Sequence, residues 1–272
     1  MAYYPVKLGQ HLNLNKVDAN ECSEFTGDKE TAQNKMDSLI KDLDQLQELL
    51  YAEHKHKILI VLQGMDTSGK DGTIRHVFSG VNPQGVRVAN FKEPTPLELA
   101  HDYLWRVHQQ TPGSGEIVIF NRSHYEDVLI VRVHGIITPK ECRRRYADIN
   151  AFETMLTNEG TLILKFFLHI DKDEQRKRLQ DRLDDKDKHW KFNTDDLKER
   201  ARWDDYMEAY EDALSATSTD CAPWYLVPAN RKWYRNLLVL RTLVQSLRDL
   251  KMAYPKAQPG LDKIVIDGAS GS

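Results

Sequence analysis

The segment that most constrains the fold of this 272-residue chain is a glycine-containing loop between a strand pattern and a helix pattern. Residues 57–63 (KILIVLQ) form an apolar run, and the spacing G-x-x-x-x-G-K follows at Gly64, Gly69 and Lys70. Glycines let successive backbone N–H groups converge on phosphate oxygens, and the next helix start adds positive potential. We therefore expect a phosphate-binding loop; the alternative is a glycine-rich turn with a surface lysine. The loop residues predicted to bind phosphate or nucleotide are Gly64, Thr67, Ser68, Gly69, Asp71 and Gly72.

One position of this loop departs from the usual pattern. Loops of this type place Ser or Thr after the lysine, where the hydroxyl group binds Mg²⁺, but here the residue is Asp71. Asp66, inside the loop, is then the candidate Mg²⁺ ligand, because a carboxylate facing phosphates without a metal repels them. The alternative is that Asp66 only caps a helix or stabilises a turn.

Five short apolar runs predict the strands of one sheet. Their centres lack polar alternation, which is typical of strands buried on both faces of a parallel sheet. Because helix-length segments separate them, we expect an open α/β sheet with right-handed crossovers and helices on both faces. The predicted strands are 57–63, 86–91, 116–120, 161–170 and 224–229. The predicted helices are 29–54, 70–79, 96–110, 123–134, 139–159, 171–184, 194–216 and 231–252.

The chain length predicts one domain with flanking segments. Residues 1–28 are polar without a clear period and predict a surface arm, and residues 29–252 predict the domain. The remaining residues, 253–272, predict a tail that ends in GASGS. The helix at 29–54 carries an apolar stripe at three- and four-residue spacing. This stripe either packs on its own domain or contacts another subunit.

Polar side chains follow the third predicted strand. Asn121, Arg122, Glu126 and Asp127 lie just past its carboxyl end, the edge where open α/β sheets bind ligands. Arg122 can bind a phosphate with two N–H groups, and Asp127 or Glu126 can hold Mg²⁺ or its waters. The alternative is a helix start in which Ser123 and Glu126 form a capping box.

A charged segment at 172–202 predicts a helical lid over the site, covering about residues 178–202. Arg178 and Arg182 are four residues apart and share one helical face, and Lys191 lies in a basic and aromatic loop. Such a lid can close over phosphates and exclude water. The alternative is a solvated helix face.

The fifth predicted strand leads into a turn at residues 228–230 (PAN). In nucleotide kinases a turn at this place borders the base. The alternative is an ordinary buried strand and turn.

Composition excludes several classes of protein. The formal net charge is −3, so no global basic field for nucleic acid exists and a polyanion must meet a local basic patch. No run of about 18 apolar residues predicts a membrane span, and the N-terminus lacks an apolar signal core. Cys22, Cys142 and Cys221 are too few and too far apart for a disulfide framework or zinc spacing. We expect a cytoplasmic protein.

Four of these segments together resemble the second family of polyphosphate kinases. They are QGMDTSGKDGT (63–73), FNRSHYEDV (120–128), WKF (190–192) and APWYLVPA (222–229), and the resemblance covers roughly residues 30–252. It implies a thymidylate-kinase-like P-loop fold, dependence on Mg²⁺, and phosphoryl transfer between inorganic polyphosphate and a nucleotide. It also implies catalytic roles for Asp66, Lys70, Arg122 and, in the lid, Arg178.

The segment after the third strand departs from the family's commonest pattern, F-D-R-S-W-Y-N-R. The chain has Asn121 and Glu126 within FNRSHYED, which resembles the subgroup that accepts both nucleoside mono- and diphosphates. The resemblance therefore implies AMP, ADP and ATP as nucleotide partners. We also expect a homo-oligomer, dimer or tetramer.

Phosphoryl transfer needs positioning and charge neutralisation more than covalent chemistry. We expect polyphosphate in a basic channel, with Mg²⁺ on Asp66 assisted by Asp127. His76, His108 and His124 are expected to be surface or core histidines, since an ionised acceptor needs no base. Two alternatives are an ATP-dependent kinase of the same fold and a polyanion-binding module without turnover.

Overall fold

Five parallel strands form the centre of this computed structural model, which describes residues 5–7, 9–264 and 266. The strand order is β2-β3-β1-β4-β5, so β1 lies between β3 and β4. The strands are β1 (Lys57–Gln63), β2 (Val86–Asn90), β3 (Ile117–Asn121), β4 (Thr161–His169) and β5 (Trp224–Pro228). The apolar runs of β1, β3 and β4 are almost wholly buried, because helices cover both faces of the sheet. The predicted α/β fold with a five-stranded parallel sheet is confirmed.

Ten α-helices surround or extend this sheet in the described part of the chain. They are α1 (Lys29–Glu53), α2 (Lys70–Val77), α3 (Pro96–Leu99), α4 (Trp105–His108), α5 (Ile130–Val133), α6 (Pro139–Asn158), α7 (Lys172–Asp184), α8 (Asp195–Ala201), α9 (Trp203–Thr217) and α10 (Lys232–Asp249). Side-chain caps start several of them: Asp28 accepts from Thr31 N at α1, and Asp171 accepts from Glu174 N at α7. Short 3₁₀ helices include His124–Val128 and Lys186–Lys191.

Three predicted helices are interrupted. The segment 96–110 forms α3 and α4, because Asp102 accepts from Leu104 N and closes a local turn between them. The segment 123–134 is a 3₁₀ helix followed by α5, and 194–216 breaks at Arg202 into α8 and α9.

The N-terminal segment does not lie free on the surface, contrary to the expectation of a surface arm. Val6, Leu12 and Leu14 are buried, and Val6 N donates to the Trp224 carbonyl oxygen at 2.8 Å. Leu14 N donates to a carboxylate oxygen of Glu211 at 2.6 Å. The segment is mostly irregular, so its few buried side chains follow no helical or strand period.

The apolar stripe of α1 packs within its own chain, against α10. Leu39, Leu43 and Leu50 are buried, and Arg248 on α10 pairs with Asp42 at 2.8 Å. Among the residues described, no helix combines the length and apolar character that a bilayer crossing requires. The GASGS sequence lies outside the described residues.

Candidate active site

The phosphate loop joins β1 to α2 and has two glycines that no other residue can replace without strain. Gly64 has φ +148° and Gly69 has φ +104°. A Cβ atom on Gly64 would lie 2.6 Å from the Leu168 carbonyl oxygen, and one on Gly69 would lie 1.8 Å from Nη1 of Arg235. The G-x-x-x-x-G-K spacing therefore reflects both backbone conformation and close packing beneath the loop.

Lys70 is the first residue of α2, and its side chain turns back over the loop. Its Nζ donates to the Gly64 carbonyl oxygen at 2.7 Å. Burial and the nearby Arg122 charge lower the pKa of Lys70, although Asp66 and Glu126 oppose that shift. A phosphate at the loop would stabilise this ammonium group in its charged form.

Arg122 follows β3 and crosses to the phosphate loop. Its Nη2 lies 2.8 Å from Oδ1 of Asp66. Its φ of +61° is rare for a non-glycine residue and costs about 1–3 kcal/mol, which is typical of functional sites. Burial opposes its charge, but the carboxylates of Glu126 and Asp66 outweigh burial and raise the pKa of Arg122.

A second cross-link joins the end of β3 to α2. Nδ2 of Asn121 donates to Oδ1 of Asp71 at 2.6 Å. The two clusters that sequence reasoning treated separately therefore form one site, which opens into a cavity of about 540 Å³. The predicted residues that line this cavity are Asp66, Thr67, Gly69, Lys70, Asp71, Gly72, Asn121, Arg122, Arg178, Arg182 and Lys191.

Arg178 lines the cavity but differs from the predicted lid arginine. Nε pairs with Glu174 at 2.7 Å, and Nη1 donates to the carbonyl oxygens of Thr67 and Ser68 at 2.9 and 3.1 Å. Nη2 donates to the carbonyl oxygens of Ala229 and Asn230 at 2.7 and 2.9 Å. All five N–H groups therefore have acceptors. Arg178 ties α7 to the phosphate loop and to the turn after β5, and has no donor left for a phosphate.

The predicted lid, about residues 178–202, contains the C-terminal half of α7, the 3₁₀ helix Lys186–Lys191 and α8. Arg182 donates to the Lys191 carbonyl oxygen at 3.1 Å and pairs with Asp196 at 3.4 Å. Trp190 is 79% exposed, and the Lys191 ammonium lies 4.8 Å from the centre of its ring. Arg182 and Lys191 line the same cavity as the phosphate loop, and closure of this segment over the site stays a prediction.

Asp127 was expected to help hold Mg²⁺, but it lies away from the cavity. Its buried carboxylate lies 3.7 Å from Arg106 and 4.0 Å from Arg145, and it does not line the cavity. Burial raises the pKa of Asp127 although both arginines oppose that shift. Glu126 is instead the carboxylate whose charge acts on Lys70 and Arg122. Glu126 does not line the cavity either; its electrostatic effect on Lys70 and Arg122 is what favours it over Asp127 as the partner of Asp66.

A buried polar network holds the segment that follows Arg122. Lys165 donates to Glu153 at 2.6 Å, to the Tyr125 hydroxyl at 2.9 Å and to the Thr217 carbonyl oxygen at 2.7 Å. The Tyr125 hydroxyl donates to Glu153 at 2.8 Å, and Nε2 of His124 lies 3.2 Å from the same oxygen. We call these five residues the β4 network. Consistent with its expected role, His124 is a hydrogen-bonded core histidine.

A family model described as Polyphosphate kinase 2 matches residues 26–255. This chain belongs to the polyphosphate kinase 2 family. It is 56% identical to an AMP/ADP-polyphosphate phosphotransferase of Meiothermus ruber over 98% of this chain and 100% of the relative. It is 45% identical to an ADP-polyphosphate phosphotransferase of Rhodopseudomonas palustris, over 94% of this chain and 92% of the relative.

A solved structure of polyphosphate kinase 2 from Arthrobacter aurescens has the same fold. The TM-score is 0.92 at 46% identity, covering 95% of this chain and 93% of that one. The predicted family, fold and enzyme class are therefore confirmed: the protein is a phosphotransferase of the polyphosphate kinase 2 type.

Family membership implies a divalent metal, and the residues present fit one. The carboxylates near the loop (Asp66, Asp71 and Glu126) and the Asn121 amide supply hard oxygen donors. No group of three or more His, Cys, Asp or Glu residues in the described ranges could hold a metal unaided. Metals at kinase sites are commonly held by one or two carboxylates together with substrate phosphates.

Six residues that line the cavity were not among the predicted site residues of this polyphosphate kinase 2 site. Lys232 and Arg235 come from the start of α10, and the others are His76, Asp181, Lys188 and Asp196. The run NRKWYR at 230–235 carried a usable signal, because cations directly after a strand end lie at the ligand-binding edge of a parallel sheet.

Proposed function

We propose that this enzyme moves a phosphoryl group between inorganic polyphosphate and AMP or ADP with bound Mg²⁺. The supporting observation is the cavity in which a phosphate loop with Lys70 meets Arg122 and the lid cations Arg182 and Lys191. A site with this many cations suits an extended polyanion beside a nucleotide phosphate. The M. ruber relative is named for the same two acceptors.

The chain's own residues position the reactants and neutralise charge. Loop N–H groups and Lys70 bind one phosphate group, and Arg122 meets the group in transfer. Arg122 is held ready by Asp66 at 2.8 Å and by its constrained backbone. The acceptor oxygen is largely ionised near neutral pH, so no residue is required as a general base.

Arg178 acts on this site through the loop backbone. Its bonds to the Thr67 and Ser68 carbonyl oxygens fix the loop in the geometry that presents the N–H groups. It is therefore a positioning residue in this structure, and the role of an arginine that meets the transferred group passes to Arg122.

Mg²⁺ is proposed to be held by Asp66, assisted by Glu126. When bound, the ion would supply positive charge that neutralises the phosphates. Asn121 bonds to Asp71 and Arg122 pairs with Asp66, so a metal on Asp66 would share that carboxylate with Arg122.

Use of both acceptors is proposed to depend on Asn121 and Glu126. AMP and ADP place their terminal phosphates at different depths, so the group that meets them must not be fixed to one position. Asn121 is neutral and bonds to Asp71, and it leaves Arg122 without a carboxylate neighbour on β3. Asp66 is then the carboxylate that holds Arg122, and exchange of that ion pair for a phosphate would let the Arg122 side chain meet either acceptor.

A donor assay tests the proposal. Purified protein with Mg²⁺ receives long-chain polyphosphate or ATP as donor and AMP or ADP as acceptor, and products are resolved by chromatography. We expect ADP from AMP and ATP from ADP with polyphosphate as donor. Phosphorylation of AMP by ATP alone, with no polyphosphate activity, would reveal an ATP-dependent kinase. Polyphosphate binding without product would reveal a binding module. Assembly as a dimer or tetramer and a cytoplasmic location remain predictions.

A further inference from the structure

Arg235, in the first turn of α10, is a buried cation without an acidic partner. Only 2% of the surface of Arg235 is exposed. Nε and Nη2 donate to the Asn236 side chain at 3.1 and 2.9 Å, and Nη1 donates to the Ser68 carbonyl oxygen at 3.1 Å. Among the described residues no carboxylate pairs with it, and two of its five N–H groups have no acceptor.

The guanidinium group lies directly against the phosphate loop and the start of α2. The space for a Cβ on Gly69 is filled by Nη1, and Nη2 lies 3.3 Å from the Cβ position of Gly72. Arg235 lines the same cavity as Lys70, and so does Lys232, one helical turn before it on α10. The N-terminal end of α2 adds positive potential at the same place.

These cations repel one another. Burial and the Arg178 charge lower the pKa of Arg235 to about 9. Burial, Arg178 and Arg235 together lower the pKa of Lys232. Arg178 offsets its charge by pairing with Glu174 and filling every donor, whereas Arg235 does neither. A buried charge without a counter-charge destabilises the free protein unless an anion binds beside it.

We propose that Arg235 binds polyphosphate directly, its two free N–H groups donating to a phosphate group that lies across the loop, with Lys232 contributing charge at the cavity edge. This deepens the proposed function and rests on it. Arg235 also donates to the Ser68 carbonyl oxygen. One guanidinium group therefore links the position of the phosphate loop to the binding of polyphosphate. In the free protein its uncompensated charge lowers stability, and polyphosphate removes that destabilisation.

The test compares Arg235→Met and Arg235→Lys with two controls in the full-length protein. Thermal unfolding is followed with and without long-chain polyphosphate, and its dissociation constant is measured by calorimetry. Arg178→Met replaces the other buried arginine that contacts the loop, on α7. Arg248→Met lies on the same helix, about 20 Å from Arg235, beside Asp42.

We expect Arg235→Met to weaken polyphosphate binding about tenfold or more. Its melting temperature without polyphosphate should equal or exceed the parent's, because a well-packed apolar replacement of an unpaired buried charge is neutral or stabilising. Arg235→Lys keeps the positive charge but lacks the planar guanidinium with its paired N–H donors, so its affinity for polyphosphate should fall about threefold or more. Arg178→Met should lower the melting temperature, and Arg248→Met should leave binding unchanged.

Two outcomes overturn this inference alone: Arg235→Met that binds polyphosphate within threefold of the parent, or Arg235→Met and Arg178→Met that lose equal stability without polyphosphate. The first assigns Arg235 to packing and the second to an ordinary buried hydrogen-bonding role. If Arg235→Met does not fold, Arg235→Lys decides, since unchanged binding by that folded variant also overturns the inference. A parent that does not bind polyphosphate refutes the proposed function, and this inference with it.

Discussion

Two buried polar regions support the same site, and they differ in whether the protein alone satisfies them. In the β4 network, all three N–H groups of Lys165 have acceptors and both oxygens of Glu153 have partners; only Nδ1 of His124 has none. At the phosphate loop, the hydroxyl groups of Thr67 and Ser68 have no partner, and Arg235 has two spare donors.

The difference teaches how one enzyme divides stability from binding. A buried polar group that is fully paired stabilises one conformation, and removing a member leaves the others unpaired. A buried polar group that lacks partners lowers stability until a ligand supplies them. Substitutions in the β4 network should therefore change stability first, and substitutions at the loop should change activity first.

Breaking the β4 network should give the largest effect. Glu153→Gln leaves the Lys165 ammonium buried without a counter-charge, which should lower the free energy of unfolding by about 3–5 kcal/mol. Urea denaturation measures this loss. The double substitution Glu153→Gln with Lys165→Met removes both charges and should recover more than half of it. Additive losses in the double variant would show that the two charges are not coupled.

Lys70→Ala should reduce kcat by about 10²–10³, which corresponds to 2.7–4 kcal/mol of transition-state stabilisation. The side chain has one short hydrogen bond, to the Gly64 carbonyl oxygen. The free energy of unfolding, measured by urea denaturation, should therefore change by only about 1 kcal/mol. Steady-state kinetics with polyphosphate and ADP measure the loss of kcat. Activity within tenfold of the parent would contradict the assignment of the phosphate loop.

Asp66→Asn should reduce kcat by about 10²-fold, because it removes the proposed metal ligand and the carboxylate that pairs with Arg122. Raised Mg²⁺ should restore little of the activity. Asp71→Asn is the matched control: it keeps an oxygen near Asn121 at 2.6 Å and should lose less activity. A larger loss at Asp71 than at Asp66 would reverse the two roles.

The finest test concerns the choice of acceptor. Asn121→Asp places a second carboxylate against Asp71 and creates a competing site for metal or for Arg122. Glu126→Asn removes a charge that acts on Arg122. Each should shift the AMP:ADP ratio of kcat/KM by about tenfold, equal to about 1.4 kcal/mol. Equal losses with both acceptors would show that neither residue selects between them.

Much of the fold followed from the sequence, because local patterns encode it. The β1 run and the glycine spacing placed the loop, and the predicted strands ended within one residue of the observed ones. The clusters at Asp66 and Arg122, which sequence reasoning treated separately, meet because parallel strands end at one sheet edge.

What the sequence did not predict depends on long-range pairing. The i and i+4 spacing of Arg178 and Arg182 indicates one helical face, but only the fold shows that Arg178 is saturated by carbonyl oxygens of two distant loops. Asp127 follows Arg122 closely in sequence, yet the 3₁₀ helix His124–Val128 turns it toward Arg106 and Arg145. The N-terminal segment shows no period because its contacts are with β5 and α9.

The packing of that N-terminal segment has a consequence for how the chain is made. Val6 and Leu14 bond to Trp224 and Glu211, and α1 packs on α10, so these segments meet partners that are translated much later. Arg235, which contacts the phosphate loop, lies on the same late helix. A nascent chain therefore has β1 and its loop sequence long before it has the helix that supports the loop, and we expect competence to bind phosphate to arise only after α10 has been made.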